Sequence, residues 1–229
     1  MKLRKGRLRK LMIFLVVVAG LVGVAYYLLK TTKNIDVNWN QVDYVSCVQK
    51  SKVNIENEKQ LNLIQLANGN FKATGKNSIE GTFSNEEISA ILSTTNNEFG
   101  PIKDVRVRFL GNNEAEATFT ITNKIWDYAS SAGIDNIDIA KGKVKNLPVY
   151  VKLSVNKASN KSVAVNIEKV SVGRLSLPNN IEKQVEKPLV SMVNNIMQKY
   201  DGFSMDKIRF DKDGLYFKGT LPGTVVGTK

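Results

Sequence analysis

The sequence contains no histidine and a single cysteine, Cys47. Without histidine the chain lacks the commonest general base and metal ligand, and with it the Ser-His-Asp and Cys-His arrangements of many hydrolases. A single cysteine excludes any disulfide within the chain. Because Cys47 stands among three valines, we interpret it as a small buried apolar residue, with pairing to a second chain as the alternative.

The chain also lacks a glycine-rich phosphate loop, an internal repeat and a low-complexity segment. Ser-x-x-Lys begins at Ser154 and again at Ser204. Both copies fall in strand-like stretches without the partner motifs of a serine acyltransferase, so we interpret them as chance. We therefore expect a protein that is not an enzyme, with no catalytic residue, metal site or cofactor.

Positive charge is concentrated at the start of the chain. There are 33 Lys and Arg against 21 Asp and Glu, a formal net charge of +12, and six of the basic residues stand in the first ten positions. Elsewhere basic and acidic residues are interspersed. A nucleic-acid surface needs basic residues clustered on one face, so we expect no nucleic-acid partner.

Residues 11–29, LMIFLVVVAGLVGVAYYLL, form an uncharged apolar run. At about 1.5 Å per residue the run spans ~28 Å, close to the hydrocarbon thickness of a bilayer. Since most flanking positive charge precedes it, the N-terminus is expected to be cytoplasmic. The alternative, a signal peptide cleaved after residue 25, would leave an exposed apolar end, and we favour an uncleaved anchor.

This interpretation divides the chain into four parts. Residues 1–10 are expected to be a cytoplasmic basic segment, 11–29 a transmembrane helix, 30–37 a stem and 38–229 an extracytoplasmic domain. The expected location is the cell membrane, crossed once. The apolar run supplies the contact with the cytoplasmic membrane.

Alternation of apolar and polar residues predicts hairpins over 105–121, 149–167 and 208–217. Helical spacing predicts helices over 38–50 and 85–96 and a long amphipathic helix over 181–200. Two phase slips between 163 and 177 predict bulges in a strongly bent strand. The expected class is α+β, with a curved, mostly antiparallel sheet packed against the long amphipathic helix.

Two stretches carry a resemblance to a known family. Residues 81–92, GTFSNEEISAIL, and 170–178, VSVGRLSLP, resemble the signatures of YpmS-like proteins, which are Gram-positive and membrane-anchored. The second stretch also resembles bacterial domains akin to the tubular lipid-binding (TULIP) superfamily. The resemblance implies a curved sheet around a helix with an apolar groove between them, and it supplies no catalytic residues.

These inferences predict a membrane-anchored extracytoplasmic binding module for lipid or another amphiphile of the cell envelope. The alternative is a structural or protein-interaction domain of an envelope assembly with no ligand cavity. The apolar residues expected to line the groove are Phe109, Phe119, Val151, Leu153, Val165, Ile167, Leu189, Met192 and Ile196.

Overall fold

A computed structural model describes residues 28–56, 65–66, 69–95, 100–124 and 146–228, with a few side chains of the third helix left out. Besides short helical segments at 28–30 and 65–66, three helices lie in these ranges: α1 Gln41–Ser51, α2 Asn85–Thr95 and α3 Asn179–Lys199. The strands are β1 Asn54–Glu56, β2 Phe71–Thr74, β3 Asn77–Phe83, β4 Ile102–Gly111, β5 Glu114–Ile121, β6 Leu147–Ser159, β7 Ser162–Val172, β8 Leu175–Ser176, β9 Ser204–Asp211, β10 Gly214–Leu221 and β11 Thr224–Gly227.

The first two helices begin at side-chain caps that the sequence encodes. The Asn40 side chain accepts a hydrogen bond from Val42 N, and the Asp43 carboxylate accepts one from Asn40 N. At α2, Ser84 and Glu87 form the reciprocal pair, with distances of 2.9 and 3.2 Å. Each cap satisfies backbone N–H groups that a helix start leaves without a partner. The predictions of a helix near 38–50 and a capped helix from residue 85 are confirmed.

The strands form three sheets. The first has the order β1-β11-β2, the second β3-β10-β9 and the third β4-β5-β6-β7-β8. Neighbouring strands are antiparallel except β1 and β11, which pair in parallel. The hairpins β4–β5, β6–β7 and β9–β10 confirm the three predicted hairpins.

The expected α+β class is wrong. Strand accounts for 48% of the structure and helix for 27%, and the strands are divided among three sheets instead of forming one curved sheet against a long amphipathic helix. Alternation identifies a strand but not its partner, so it does not predict that β11 pairs with β1 and β2. One phase slip is a bulge opposite Lys152 and Leu153, but the second is a tight turn between β7 and β8.

Within the described ranges, no helix is both long and apolar enough to cross a membrane. The expected span over 11–29 lies outside those ranges except for its last two residues.

The main core lies between the second and third sheets. One cluster joins Phe83, Met205 and Phe217 to Val163 of the third sheet, and Cys47 of α1 packs into it. A second cluster joins Phe109 to Phe210, whose ring centroids lie 4.8 Å apart. Because Cys47 is buried here, its interpretation as an apolar core residue is confirmed.

Helix α3 runs along the edge of β7 instead of crossing the face of a curved sheet. Strand β8 pairs only with Ser171 and Val172, so among the described strands none pairs with the rest of this edge of β7. Glu182 and Glu186 accept hydrogen bonds from the N–H groups of Val170 and Ile167, at 2.9 and 2.8 Å. Asn194 makes a paired contact with Val163 N and O at 2.9 and 3.0 Å. These side chains cover a row of backbone groups that would otherwise invite pairing with another strand.

Candidate functional site

The third sheet has one apolar face and one face that carries charge. Register places Arg106, Thr118 and Tyr150 side by side, with Arg108, Glu116 and Lys152 in the next row. We call this side the charged face. The polypeptide that precedes α1, residues 31–37, lies against it and buries Ile35 and Val37, which are 0% and 2% exposed, beside Tyr150.

Glu116 connects this stem to the sheet. Its side chain is 1% exposed. One carboxylate oxygen accepts hydrogen bonds from Lys33 Nζ at 2.6 Å and from Tyr150 Oη at 2.8 Å. The other accepts one from Arg108 Nε at 2.6 Å, and the Arg108 guanidinium forms an ion pair with the same carboxylate. We call these four residues, Lys33, Arg108, Glu116 and Tyr150, the stem lock.

The stem lock favours the charged form of its carboxylate. Burial acts to raise the pKa of Glu116, but hydrogen bonds from Lys33, Tyr150 and Arg108 outweigh burial and hold this pKa below its ordinary value. The hydrogen bond to Glu116 raises the pKa of Lys33. Burial, followed by the hydrogen bond to Glu116, raises the pKa of Tyr150. Lys33 and Glu116 are therefore both ionised at neutral pH, as an ion pair requires.

A second contact holds the start of the stem. Residues 28–30 are helical, and the Leu28 carbonyl accepts a hydrogen bond from Arg174 N at 2.7 Å. Gly173 N donates to the Pro148 carbonyl, also at 2.7 Å. The turn between β7 and β8 therefore touches both the end of the apolar run and the start of β6.

A cavity of about 250 Å³ opens between the stem and the charged face. Its wall combines polar side chains of the stem with residues of β4, β5 and β6. The lining residues are Thr32, Lys33, Asn34, Asp104, Arg106, Thr118, Phe119, Thr120 and Pro148.

The cavity is rich in hydrogen-bond donors. Among the described residues, none forms a hydrogen bond or ion pair with the half-buried Arg106 side chain. The Thr32 hydroxyl oxygen is buried and also has no partner in this part of the chain. Buried polar groups are normally hydrogen-bonded, and a guanidinium fork matches two oxygens of a carboxylate or phosphate. Asp104 is the one carboxylate of the lining.

The residues expected to line an apolar groove fall into separate clusters. Phe109 and Leu153 pack under the second sheet, together with Phe119. Phe119 also contacts the cluster that contains Val151 and Ile167. Val165 belongs to a third cluster, beside Val193 and Met197 of α3. Met192 and Ile196 are half-buried on α3, and the side chain of Leu189 lies outside the described part.

Sequence reasoning missed the cavity and the stem lock. Glu116 and Arg106 alternate with apolar residues of the β4–β5 hairpin, and this alternation does not indicate that another segment covers them. A signal was present in the stem, where Ile35 and Val37 are spaced two apart as in a strand that covers one face. Stem residues 31–37 are too few, however, for that spacing to stand out.

Comparisons with protein-family models, curated proteins and solved structures found no match for this chain. The resemblance to YpmS-like and TULIP proteins therefore stays a prediction. Within the described residues, no group of three or more His, Cys, Asp or Glu side chains could hold a metal ion.

Proposed function

We propose that this protein is a single-pass membrane-anchored binding module. Its domain stands on the outer surface of the membrane and takes the polar head of a lipid or another amphiphile into the cavity beside the stem. The observation that carries the proposal is the stem lock, with 2.6 Å between Lys33 Nζ and Glu116 Oε2. Because these contacts hold the stem against the sheet, the cavity stays beside the anchor. A flexible linker would let the domain move away from it.

The distance from the anchor supports a lipid headgroup as the ligand. Lys33 follows the end of the apolar run at residue 29 by four residues, which reach at most ~14 Å when extended. The headgroup layer adds roughly 5 to 8 Å to each side of the hydrocarbon core. The mouth of the cavity is therefore within reach of headgroups of the outer leaflet.

The size and chemistry of the cavity favour the head of an amphiphile over its acyl chains. Its volume of about 250 Å³ is below the ~300 to 1,000 Å³ that is usual for a pocket that encloses a whole organic ligand. Arg106 and the hydroxyls of Thr118 and Thr120 can donate to phosphate oxygens. Asp104 repels a bare anion but suits a headgroup that carries an amine beside its phosphate.

Native mass spectrometry of the full-length protein, extracted from its membrane in mild detergent, tests this function. We expect one retained phospholipid per chain and its loss in Arg106→Gln. Arg209→Gln is the matched control, because Arg209 lies on β9 and binds Asp211 at 2.7 Å. If wild-type protein retains no phospholipid, or if both variants retain it equally, the cavity is not the binding site.

The alternative is a structural or protein-interaction domain of the envelope, and one observation favours it. Val42 and Val45 lie one helical turn apart on α1 and are 74% and 42% exposed. Exposed apolar residues at this spacing suit the face of a second helix. Crosslinking from a photoreactive residue at position 42, in intact cells, would capture a discrete protein under this alternative and none under the headgroup proposal.

A further inference from the structure

The turn between β7 and β8 makes an unusually close contact with the end of the apolar run, just before the stem. Gly173 has φ +60°, and a Cβ added there would lie 2.1 Å from the Leu28 carbonyl oxygen. Only glycine allows so close an approach and adopts this backbone conformation without strain. Arg174 N then donates to the same carbonyl at 2.7 Å. The tip of the hairpin is thereby fixed to the end of the apolar run.

The contact fixes the depth of the hairpin relative to a membrane. Leu28 and Leu29 are the last two residues of the apolar run 11–29, whose ~28 Å length matches the hydrocarbon core. The final carbonyl groups of a helix have no partner within the helix, and leaving them unpaired is costly where water is scarce. Arg174 N satisfies one of them. The hairpin tip therefore lies at the level where the apolar run leaves the bilayer.

The side chains of the tip match that level. Leu175 is 45% exposed, next to the cationic and exposed Arg174. Its strand partner Val172 and the nearby Leu177 are half-buried. A single exposed leucine is ordinary on the surface of a soluble protein, so exposure alone does not indicate contact with a membrane. Leu175 differs because the residue before it is hydrogen-bonded to the end of the apolar run.

We propose that the β7–β8 hairpin inserts its tip into the interfacial layer of the membrane that holds the anchor. Leu175 enters the boundary between headgroups and acyl chains. This inference rests on the proposed anchor. Two attachment points, the helix and the hairpin, set the tilt of the domain and keep the cavity turned toward the headgroups.

Depth-dependent fluorescence quenching tests the insertion. The full-length protein with Leu175→Cys is labelled with an environment-sensitive fluorophore and reconstituted into vesicles of phosphatidylcholine and phosphatidylglycerol. Cys47 is 5% exposed and stays unlabelled in the folded protein, so labelling at one site also reports a native fold. We expect the emission to shift to the blue. A quencher attached near the lipid headgroup should remove most of the emission intensity.

Asp213→Cys is the matched control. Asp213 is exposed in the β9–β10 turn, which lies against Gly111 at one end of the third sheet. Pro148, which accepts the hydrogen bond from Gly173 in the β7–β8 turn, lies at the opposite end. The six residues of β6 between these ends correspond to ~20 Å. The control label is expected to show neither a blue shift nor lipid quenching.

Two different results would overturn the inference and are distinguishable. If the protein floats with the vesicles but the label at 175 behaves like the label at 213, the hairpin does not insert and the anchor stands. If the protein does not float with the vesicles, the anchor fails and the inference fails with it. Should Leu175→Cys disturb the fold, Ser176→Cys on the same exposed hairpin carries the same test.

Discussion

Replacing Glu116 with glutamine removes the charge at the centre of the stem lock while keeping the shape of the side chain. In the native protein the carboxylate satisfies Lys33, Arg108 and Tyr150 at once. Glutamine keeps one acceptor oxygen and replaces the other with an NH2 group, which faces either Lys33 or Arg108, depending on how the amide is turned. Glu116→Gln should therefore loosen the stem and destabilise the domain without disturbing the β4–β5 hairpin itself.

The size of the effect follows from burial and from the exposure of the partners. Removing one partner of a fully buried ion pair costs about 3 to 5 kcal/mol because the other charge is left without solvent. Here the side chains of Lys33 and Arg108 are 51% and 37% exposed, so water can solvate them once the carboxylate is gone. The expected loss in the free energy of unfolding is accordingly smaller, about 2 to 3 kcal/mol.

Urea unfolding of the full-length protein in detergent micelles, followed by tryptophan fluorescence, measures this loss. The matched control is Glu114→Gln, on the same strand and the same face. Glu114 pairs with Lys152 at 2.9 Å in an exposed setting, so its replacement should cost at most about 0.5 kcal/mol. Equal effects of the two substitutions would refute the stem lock as a stabilising contact.

Four further results are expected. Glu116 stabilises the fold fully above the ordinary carboxyl pKa of about 4.3, and this stabilisation is lost as the pH falls through the lower pKa that Glu116 has in the folded protein. The urea midpoint of Glu116→Gln should therefore fall less on acidification than the midpoint of the wild type. Gly173→Ala should destabilise by about 2 kcal/mol or more in the same assay, because alanine disfavours φ +60° and its Cβ would overlap Leu28 and Leu29; an unchanged midpoint would mean that the β7–β8 turn does not contact the end of the apolar run. Asn194→Leu should accelerate hydrogen exchange of the Val163 amide, whose acceptor it removes, and leave exchange in β10 unchanged. Burial raises the pKa of the Cys47 thiol to about 12, so a thiol reagent at pH 8 should react only after urea is added, and prompt reaction of the native protein would contradict the buried position.

Local pattern predicted the local structure well. Alternation of apolar and polar residues located the β4–β5, β6–β7 and β9–β10 hairpins, and the Ser84–Glu87 capping box located the start of α2. These features are determined by residues that are neighbours in the chain. Side-chain period and cap chemistry act over the same short distance, so the sequence displays them directly.

Contacts between distant segments were not predictable in the same way. Strand β11 pairs with β1 and β2, 150 or more positions away, and nothing within residues 224–227 specifies that choice. Glu116 illustrates the same limit at the site. Alternation showed correctly which residues share its face, but not that the stem would cover that face and bury a carboxylate at 1% exposure.

The groove hypothesis depended on a similar assumption about packing. It requires the amphipathic segment before Tyr200 to lie across the concave face of a curved sheet. Glu182, Glu186 and Asn194 instead bind the backbone edge of β7. Polar residues on a helix are normally read as solvent-facing, and a sequence pattern cannot distinguish a polar stripe that meets water from one that covers the edge of a strand.

Labelling of intact cells with a membrane-impermeant maleimide tests the central claim, that the domain stands outside the membrane on an uncleaved anchor. Asp213→Cys in the full-length protein offers one exposed thiol, while the buried Cys47 gives no background. The account predicts that position 213 is labelled as fully in intact cells as after lysis, on a chain whose mass still includes residues 1–29. Labelling that appears only after lysis, or a labelled chain that has lost the apolar run, would contradict it.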